Sequence, residues 1–144
     1  MKNDKITLAH GSGGKLTHEL VRKLFLPCFN NNALSLLGDS AILNINGTKL
    51  AFTTDSYVVK PLFFPGGDIG RLAVSGTIND LAVVGAEPMF LSAGFIIEEG
   101  FEMSLLEKIV SSMRETTGLT GVDIVTGDTK VVESGGADGL YINT

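Results

Sequence analysis

Four aspartates stand at positions from which their carboxylates could meet at one cation: Asp39, Asp55, Asp80 and Asp128. Asp39 precedes a predicted strand, Asp55 ends another, and Asp128 falls in a predicted Gly-Asp-Thr turn after a third. A turn, a helix cap or solvation explains most single aspartates. Mg²⁺, however, is held by one or two carboxylates together with substrate phosphates. The four together favour a magnesium site over four unrelated surface residues.

Asp80 is the aspartate that solvation explains least. It lies within a predicted helix, and its sequence neighbours are apolar: Ile78, Leu81, Ala82, Val83 and Val84. A buried carboxylate without a partner costs free energy, so we expect Asp80 to be paired or bound to a metal ion.

Two glycine-containing segments could approach phosphate groups. Lys130 follows Gly127-Asp-Thr129 and could neutralise a phosphate as a point charge, or be an ordinary exposed lysine. The segment His10-Gly-Ser-Gly-Gly-Lys15 offers the backbone donors of Gly13 and Gly14 and a further cation. It fails the Walker A template, and a flexible N-terminal arm is the alternative.

Composition limits the class of protein. The chain has 144 residues, of which 44% are hydrophobic and 19% charged, which fits one globular domain. It has no apolar run of about 20 residues and no signal-peptide core, so a cytoplasmic location is expected. A net charge of −5 without a Lys/Arg run argues against a nucleic-acid surface. Cys28, the only cysteine, is predicted to be a buried and inert thiol.

The hydrophobic pattern predicts about six strands and three helices. Helices are predicted over 15–29, 68–84 and 104–117, and strands or extended segments over 5–9, 40–46, 48–55, 58–64, 89–97, 122–125 and 140–143. Asn46-Gly47 indicates a hairpin, Asp68 an N-cap, and Ser104 with Glu107 a capping box before a helix that ends at Gly118. The fold class is therefore α/β or α+β with a mixed sheet. The abrupt end of the chain suggests a fragment, with a small complete domain as the alternative.

Several segments together resemble the HypE family of hydrogenase maturation proteins. They are His10-Gly-Ser-Gly-Gly, Phe52-Thr-Thr-Asp-Ser-Tyr, Pro61-Leu-Phe-Phe-Pro-Gly-Gly-Asp-Ile-Gly, Gly76-Thr-Ile-Asn-Asp-Leu-Ala, Ile97-Glu-Glu-Gly and Thr126-Gly-Asp-Thr-Lys-Val. The HypE family belongs to the ATP-binding superfamily of aminoimidazole ribonucleotide synthetase, selenophosphate synthetase and thiamine-monophosphate kinase. The resemblance runs through essentially the whole chain, in order.

The resemblance implies an N-terminal ATP-binding and dimerisation domain over residues 1–144, with a sheet that pairs across a homodimer into a barrel. It implies that Asp39, Asp55, Asp80 and Asp128 lie at Mg²⁺ and the phosphates of ATP. The candidate nucleotide-binding residues are Lys130, Thr129, Gly127, Asn79, Gly13 and Gly14. Asp39 follows Gly38, where many members of the superfamily carry a second acid.

The resemblance also implies a reaction and partners. HypE proteins carry a carbamoyl group, donated through HypF, on a C-terminal cysteine. ATP phosphorylates the carboxamide oxygen, and loss of phosphate leaves a thiocyanate whose cyanide passes by HypC–HypD toward the iron of [NiFe]-hydrogenase. The C-terminal domain and its cysteine are absent from this chain, and Cys28 does not match that cysteine. We therefore expect the fragment alone to be catalytically incomplete.

Two other interpretations remain open. The chain could be the ATP domain of another kinase or synthetase of the superfamily. It could also act without catalysis as a dimerisation and docking module, because the apolar segments Val58–Phe64 and Met89–Ile97 would leave one face in need of a partner.

Overall fold

The N-terminal part of the chain is helical. The computed structural model describes residues 5–144, which begin with a 3₁₀ turn (Leu8–His10), followed by α1 (Lys15–Leu20), a π-helical turn (Val21–Phe25), α2 (Leu26–Phe29) and a second 3₁₀ turn (Leu34–Leu36). The continuous helix predicted over 15–29 is confirmed. No strand forms where a short strand or extended arm was predicted over 5–9, and Leu8–His10 form the 3₁₀ turn instead. Cys28 is exposed, which corrects the expected buried thiol, because this segment packs mainly on itself.

A hairpin follows the helical segment. Strands β1 (Ala41–Ile45) and β2 (Thr48–Phe52) pair antiparallel, with Ile45 opposite Thr48. The two turn residues have positive φ, 53° at Asn46 and 87° at Gly47, as a two-residue hairpin turn requires. The Asn-Gly prediction is confirmed.

A four-stranded mixed sheet forms the centre of the molecule. Its strands are β3 (Ser56–Tyr57), β8 (Leu140–Asn143), β6 (Phe90–Glu98) and β7 (Asp123–Val132), in that spatial order. β7 runs parallel to β6, whereas β8 is antiparallel to both β6 and β3. The extended apolar stretch predicted over 58–64 is mostly not a strand. Only Phe63–Phe64 (β4) within it is a strand, and it pairs with Gly67–Asp68 (β5).

Two helices cover one face of the sheet and enclose the core. Helix α3 (Ile69–Ala82) begins at Asp68, whose carboxylate accepts hydrogen bonds from the backbone N–H groups of Gly70 and Arg71, which confirms the predicted N-cap. Helix α4 (Met103–Thr120) follows β6. The largest fully buried side chains lie between these layers: Ile69, Val74, Ile109, Met113, Val122, Leu140 and Ile142.

The boundaries of α4 differ from the prediction. The helix follows Glu102 without a side-chain cap hydrogen bond, so the predicted Ser104–Glu107 capping box is wrong. It continues past Gly118 to Gly121, where a φ of 70° gives the left-handed conformation that ends helices.

The opposite face of the sheet is not covered by any helix within residues 5–144. Alternation along the strands places Ser92, Gly94 and Ile96 of β6 on this face, which we call the open face, and Leu91 and Ala93 on the helix side. Among the helices that the structure describes, none is long and apolar enough to cross a membrane.

The glycine-rich loop between β7 and β8 is fastened by one carboxylate. The Glu98 side chain accepts hydrogen bonds from the backbone N–H groups of Gly135 (2.6 Å) and Gly139 (2.9 Å). These two donors, first Gly135 and then Gly139, lower the pKa of Glu98 below its usual 4.5. Ionised Glu98 therefore stabilises the folded state.

This lowered pKa predicts a pH-dependent contribution to stability. Because the folded-state pKa is depressed, the contribution is present above about pH 4.5 and is lost as the pH falls through the folded-state pKa. We expect Glu98→Gln to lower the free energy of unfolding at neutral pH, and the difference from wild type to shrink in acid. Urea unfolding at several pH values measures this, with the exposed neighbour Glu99→Gln as control. A difference that stays constant across the acid range would contradict the role given to Glu98.

Candidate functional site

Three of the four aspartates predicted to bind metal share one neighbourhood at the C-terminal end of α3. The Thr53 hydroxyl donates to the backbone oxygen of Asp39 at 2.8 Å and lies 3.4 Å from Oδ2 of Asp80. Burial is the main cause that raises the pKa of Asp80, and the negative charges of Asp55 and Asp39 raise it further. We call Asp39, Asp55 and Asp80 the acidic cluster.

Asp80 lies in α3, as the sequence pattern predicted, but in the last turn of the helix rather than its middle, and it is half-buried. Its backbone oxygen accepts a hydrogen bond from the Ser40 hydroxyl at 2.7 Å, which ties the helix end to the residue after Asp39. Of its apolar neighbours in sequence, Leu81 is buried and Ile78 packs against the core, whereas Val83 and Val84 are exposed. Asp80 is therefore a carboxylate on a rigid element with two like charges beside it.

Asp55 lies between β2 and β3 and is held by the end of β8. Its backbone N–H donates to the Thr144 oxygen at 2.9 Å, and the Thr144 N–H donates back at 3.0 Å. The Asp55 carboxylate accepts from the N–H of Ser56 at 2.8 Å. Asp55 is thus contributed to the site by the edge of the sheet, whereas Asp80 is contributed by the helix layer.

A buried chain of hydroxyl groups joins β3 to α3 beneath the acidic cluster. Tyr57 Oη and Thr77 Oγ1 are 3.0 Å apart, Thr77 in turn contacts the Thr144 hydroxyl, and Thr144 donates to the Ala73 oxygen at 3.1 Å. Burial raises the pKa of Tyr57 to about 12, so this hydroxyl keeps its proton at neutral pH. The chain fixes the spacing between the strand that follows Asp55 and the helix that carries Asp80.

The structure separates Asp128 from the acidic cluster. The predicted turn at Gly127-Asp128-Thr129 is wrong, because β7 continues through it in parallel pairing with β6. A row of neighbours crosses the sheet as Ser56, Asn143, Gly94 and Asp128. Neighbouring strands are about 4.8 Å apart, which places Asp128 roughly 14 Å from Ser56.

Asp128 forms an ion pair with Lys130 at 2.7 Å. The Lys130 ammonium group is the main cause that lowers the pKa of Asp128. Both side chains are well exposed, so the pair adds little to stability.

The strand conformation also divides the four residues predicted to contact phosphate. Asp128 and Lys130 lie two residues apart and share the open face, whereas Thr129, opposite Phe95, lies on the other face. At Gly127 a Cβ atom would collide with the backbone oxygen of Ala93. Gly127 therefore permits close strand packing, a structural role that its place in a phosphate motif did not indicate.

The other candidate nucleotide-binding residues lie in two separate places. Gly14 precedes α1, and the N–H of Gly13 donates to the Thr17 hydroxyl at 3.0 Å, a contact inside the N-terminal segment. Asn79 is exposed on α3, directly before Asp80. Only Asn79 of this group adjoins the acidic cluster along the chain.

The acidic cluster has the chemistry of a divalent-cation site, but not a complete ligand shell. Within residues 5–144, no three His, Cys, Asp or Glu side chains lie close enough together to hold a metal ion by themselves. Mg²⁺ keeps several waters and binds through one or two carboxylates plus substrate phosphates, so Asp80 with Asp55 or Asp39 fits it. A bound cation would also relieve the repulsion that raises the pKa of Asp80.

Sequence reasoning missed three polar residues that organise the cluster: Ser40, Thr53 and Asn143. Ser40 directly follows Asp39, and Thr53 lies two residues before Asp55 in the Thr-Thr-Asp motif, so motif position could have found them. Asn143 reaches Thr54, Asp55 and Ser56 from almost ninety residues away. Its contacts follow from strand order, which a local pattern does not contain.

Comparison with known proteins assigns the family. Residues 37–144 match the family model described as AIR synthase related protein, N-terminal domain, which takes in the acidic cluster and the whole sheet. The chain belongs to this family. The match begins after the N-terminal helices and so leaves out Gly13 and Gly14.

Several relatives at high identity are HypE proteins. Carbamoyl dehydratase HypE of Escherichia coli is 53% identical over 146 residues, which cover 98% of this chain and 44% of the relative. A crystal structure of a HypE–HypF complex matches with a TM-score of 0.80 and 53% identity, covering 86% of this chain and 40% of that one. Hydrogenase maturation protein HypE in complex with ATP matches with a TM-score of 0.66 and 52% identity, covering 96% and 41%.

This AIR synthase related domain therefore spans less than half the length of the HypE proteins it matches. The mixed sheet with helices on one face confirms the predicted mixed α/β class and agrees with the family.

Proposed function

We propose that this domain binds ATP with Mg²⁺ as the N-terminal domain of a HypE-type carbamoyl dehydratase. The observation that carries the proposal is 52% identity, over 96% of this chain, to a HypE whose crystal structure contains ATP. The acidic cluster supports it independently, because a group of carboxylates binds a polyanion only through a cation.

The residues proposed to bind Mg²⁺ and ATP lie on two separate surfaces. Asp80 and Asp55, with Asp39 as the third carboxylate, would hold Mg²⁺ at the end of α3. When bound, Mg²⁺ neutralises phosphate charge and orients the terminal phosphoryl group. Asp128 and Lys130, about three strands away on the open face, would reach another part of the nucleotide or its metal. The remaining proposed nucleotide contacts are Gly127, Thr129, Asn79, Gly13 and Gly14.

The reaction proposed for the longer protein is an ATP-driven dehydration. An S-carboxamide oxygen attacks the γ-phosphorus of ATP, ADP leaves, and the amide nitrogen gives up one of its two protons. Loss of phosphate and a proton from the phosphorylated carboxamide then gives the thiocyanate. This domain would supply the ATP and metal side of that step, and the carrier cysteine would come from a C-terminal domain.

The proposed partners follow from the same relatives. HypF is supported by a HypE–HypF crystal structure that this chain resembles with a TM-score of 0.80. The proposal also includes a homodimer in which the open faces close into a barrel. It further includes transfer of the cyanide to HypC–HypD and a cytoplasmic location. The open face supports the homodimer, because it carries exposed apolar side chains that include Val58, Phe90 and Ile96.

Titration calorimetry of this chain with ATP tests the proposal. We expect heat of binding in the presence of Mg²⁺ and at least a tenfold weaker affinity with EDTA, about 1.4 kcal/mol. Light scattering on the same sample reports whether the chain is a dimer. A dimer that binds no ATP at millimolar concentration would instead favour a non-catalytic docking module, which the open face also permits.

A further inference from the structure

The Asn143 side chain contacts three successive residues of the segment that carries Asp55. Its Nδ2 atom lies 2.8 Å from the backbone oxygen of Asp55, 3.0 Å from Ser56 Oγ and 3.1 Å from Thr54 Oγ1. An amide nitrogen has two hydrogens and this one has three acceptors, so at least one hydrogen is shared between two acceptors. The Thr54 hydroxyl can also donate to Asn143 Oδ1 at 3.4 Å.

The segment that Asn143 contacts has little other regular structure to hold it. Asp55 lies outside both β2 and β3, and β3 is a two-residue strand at the edge of the sheet. Its remaining backbone support is the reciprocal pair between Asp55 and Thr144, next to Asn143 on the same strand. The end of β8 therefore fixes Asp55 through the main chain at Thr144 and through a side chain at Asn143.

The direction of the Asn143 side chain is specific. Its other neighbour across the sheet is Gly94, which has no side chain, and the charged residue Asp128 lies one strand further on. The amide is nevertheless hydrogen-bonded to 54–56 rather than to the Asp128–Lys130 pair. Solvation of an exposed residue would not require three contacts to consecutive residues on one side.

We propose that Asn143 is a positioning residue that sets the location of the Asp55 carboxylate for Mg²⁺ without contacting the metal or the nucleotide. The inference rests on the proposed function of the acidic cluster and adds to it a residue on another strand. Residues that orient metal ligands typically contribute about 10–100-fold to metal affinity. Asn143 is expected to act in that range.

Calorimetry of the full chain with ATP, in Mg²⁺ and in EDTA, tests the inference with four variants. Asn143→Ala should weaken Mg²⁺-dependent ATP binding by about tenfold and leave metal-free ATP binding unchanged. Asn143→Gln keeps the amide and should retain more affinity than Asn143→Ala. Asn32→Ala, the same chemical change in the N-terminal segment, should have no effect. Asp55→Asn gives the effect of losing the carboxylate itself.

The outcomes separate the inference from the function on which it rests. If Asp55→Asn leaves Mg²⁺-dependent binding intact, the proposed metal role of Asp55 is wrong. If Asp55→Asn weakens binding and Asn143→Ala does not, the positioning role is overturned. Equal losses in Mg²⁺ and in EDTA would also overturn it, because they indicate a general structural defect. Should Asn143→Ala not fold, Asn143→Ser, which keeps one donor, serves for the same comparison with a smaller expected loss.

Discussion

Asp80→Asn should weaken Mg²⁺-dependent ATP binding by at least about tenfold and, without metal, make the domain no less stable than wild type. The reason for both effects is the same charge. Ionised Asp80 is half-buried beside Asp55 and Asp39, and its raised pKa means that the negative form is disfavoured in the folded protein. Asparagine keeps the shape, removes the repulsion and loses the ligand.

Two measurements check the Asp80 prediction. Calorimetry gives the ATP affinity, and urea unfolding in EDTA, then in Mg²⁺ with ATP, gives the stability of each state. Ligand binding should stabilise wild type much more than Asp80→Asn. Asp123→Asn, at the exposed start of β7, is the matched control. Equal affinity of folded wild type and Asp80→Asn would show that Asp80 does not bind the metal.

Gly70→Ala should lower the free energy of unfolding by about 1–3 kcal/mol. Gly70 lies in the first turn of α3 where α4 crosses it, and a Cβ atom there would lie 2.5 Å from the backbone oxygen of Ile109 and 2.9 Å from Met113 Cγ. A backbone oxygen within a helix cannot move aside as the end of a flexible side chain can. The two helices must therefore move apart. This disturbs the packing of the core against α3, the helix that carries Asp80.

Helix propensity alone predicts the opposite sign. Alanine in place of glycine inside a helix usually stabilises by roughly 0.5–1 kcal/mol. Gly118→Ala in α4 isolates that effect, because an added Cβ would meet no atom within 4 Å. Urea unfolding should therefore show Gly118→Ala as stable as wild type or more so, and Gly70→Ala as clearly less stable. If both substitutions stabilise, the close helix crossing does not depend on Gly70.

Local signals in the sequence predicted the local parts of the fold. The Asn46-Gly47 hairpin, the Asp68 N-cap and the central strand β6 each depend on a few adjacent residues, and all three are confirmed. The errors arose where distant pairing decided the outcome. Glycine and aspartate at 127 and 128 indicate a turn, yet β6 supplies a partner along the whole of β7, and the strand continues.

In the candidate site, too, local features could be predicted from the sequence and long-range ones could not. The apolar setting of Asp80 in its helix predicted a carboxylate with a special role, and the structure places two further aspartates beside it. Whether Asp128 joins them depends on the order of strands in the sheet, which places β8 and β6 between β3 and β7. Asn143 could not be found from sequence for that reason, because β8 meets β3 only in the folded molecule.

The irregular pairing near the start of β7 affects which insertions and deletions this strand can accept. Leu91 pairs with Ile124 but Ser92 pairs with Thr126, so Val125 is an extra residue in the strand. Beyond it Gly94 pairs with Asp128 and Ile96 with Lys130, so both charges project away from the helices. Deletion of Val125 would leave Ile124 opposite Leu91 and Thr126 opposite Ser92, so both charges would stay on the open face, whereas one added residue after Thr126 that left this pairing in place would turn both toward the helix layer. Natural variants should therefore tolerate the loss of one residue in this stretch, which closes the bulge, better than the gain of one.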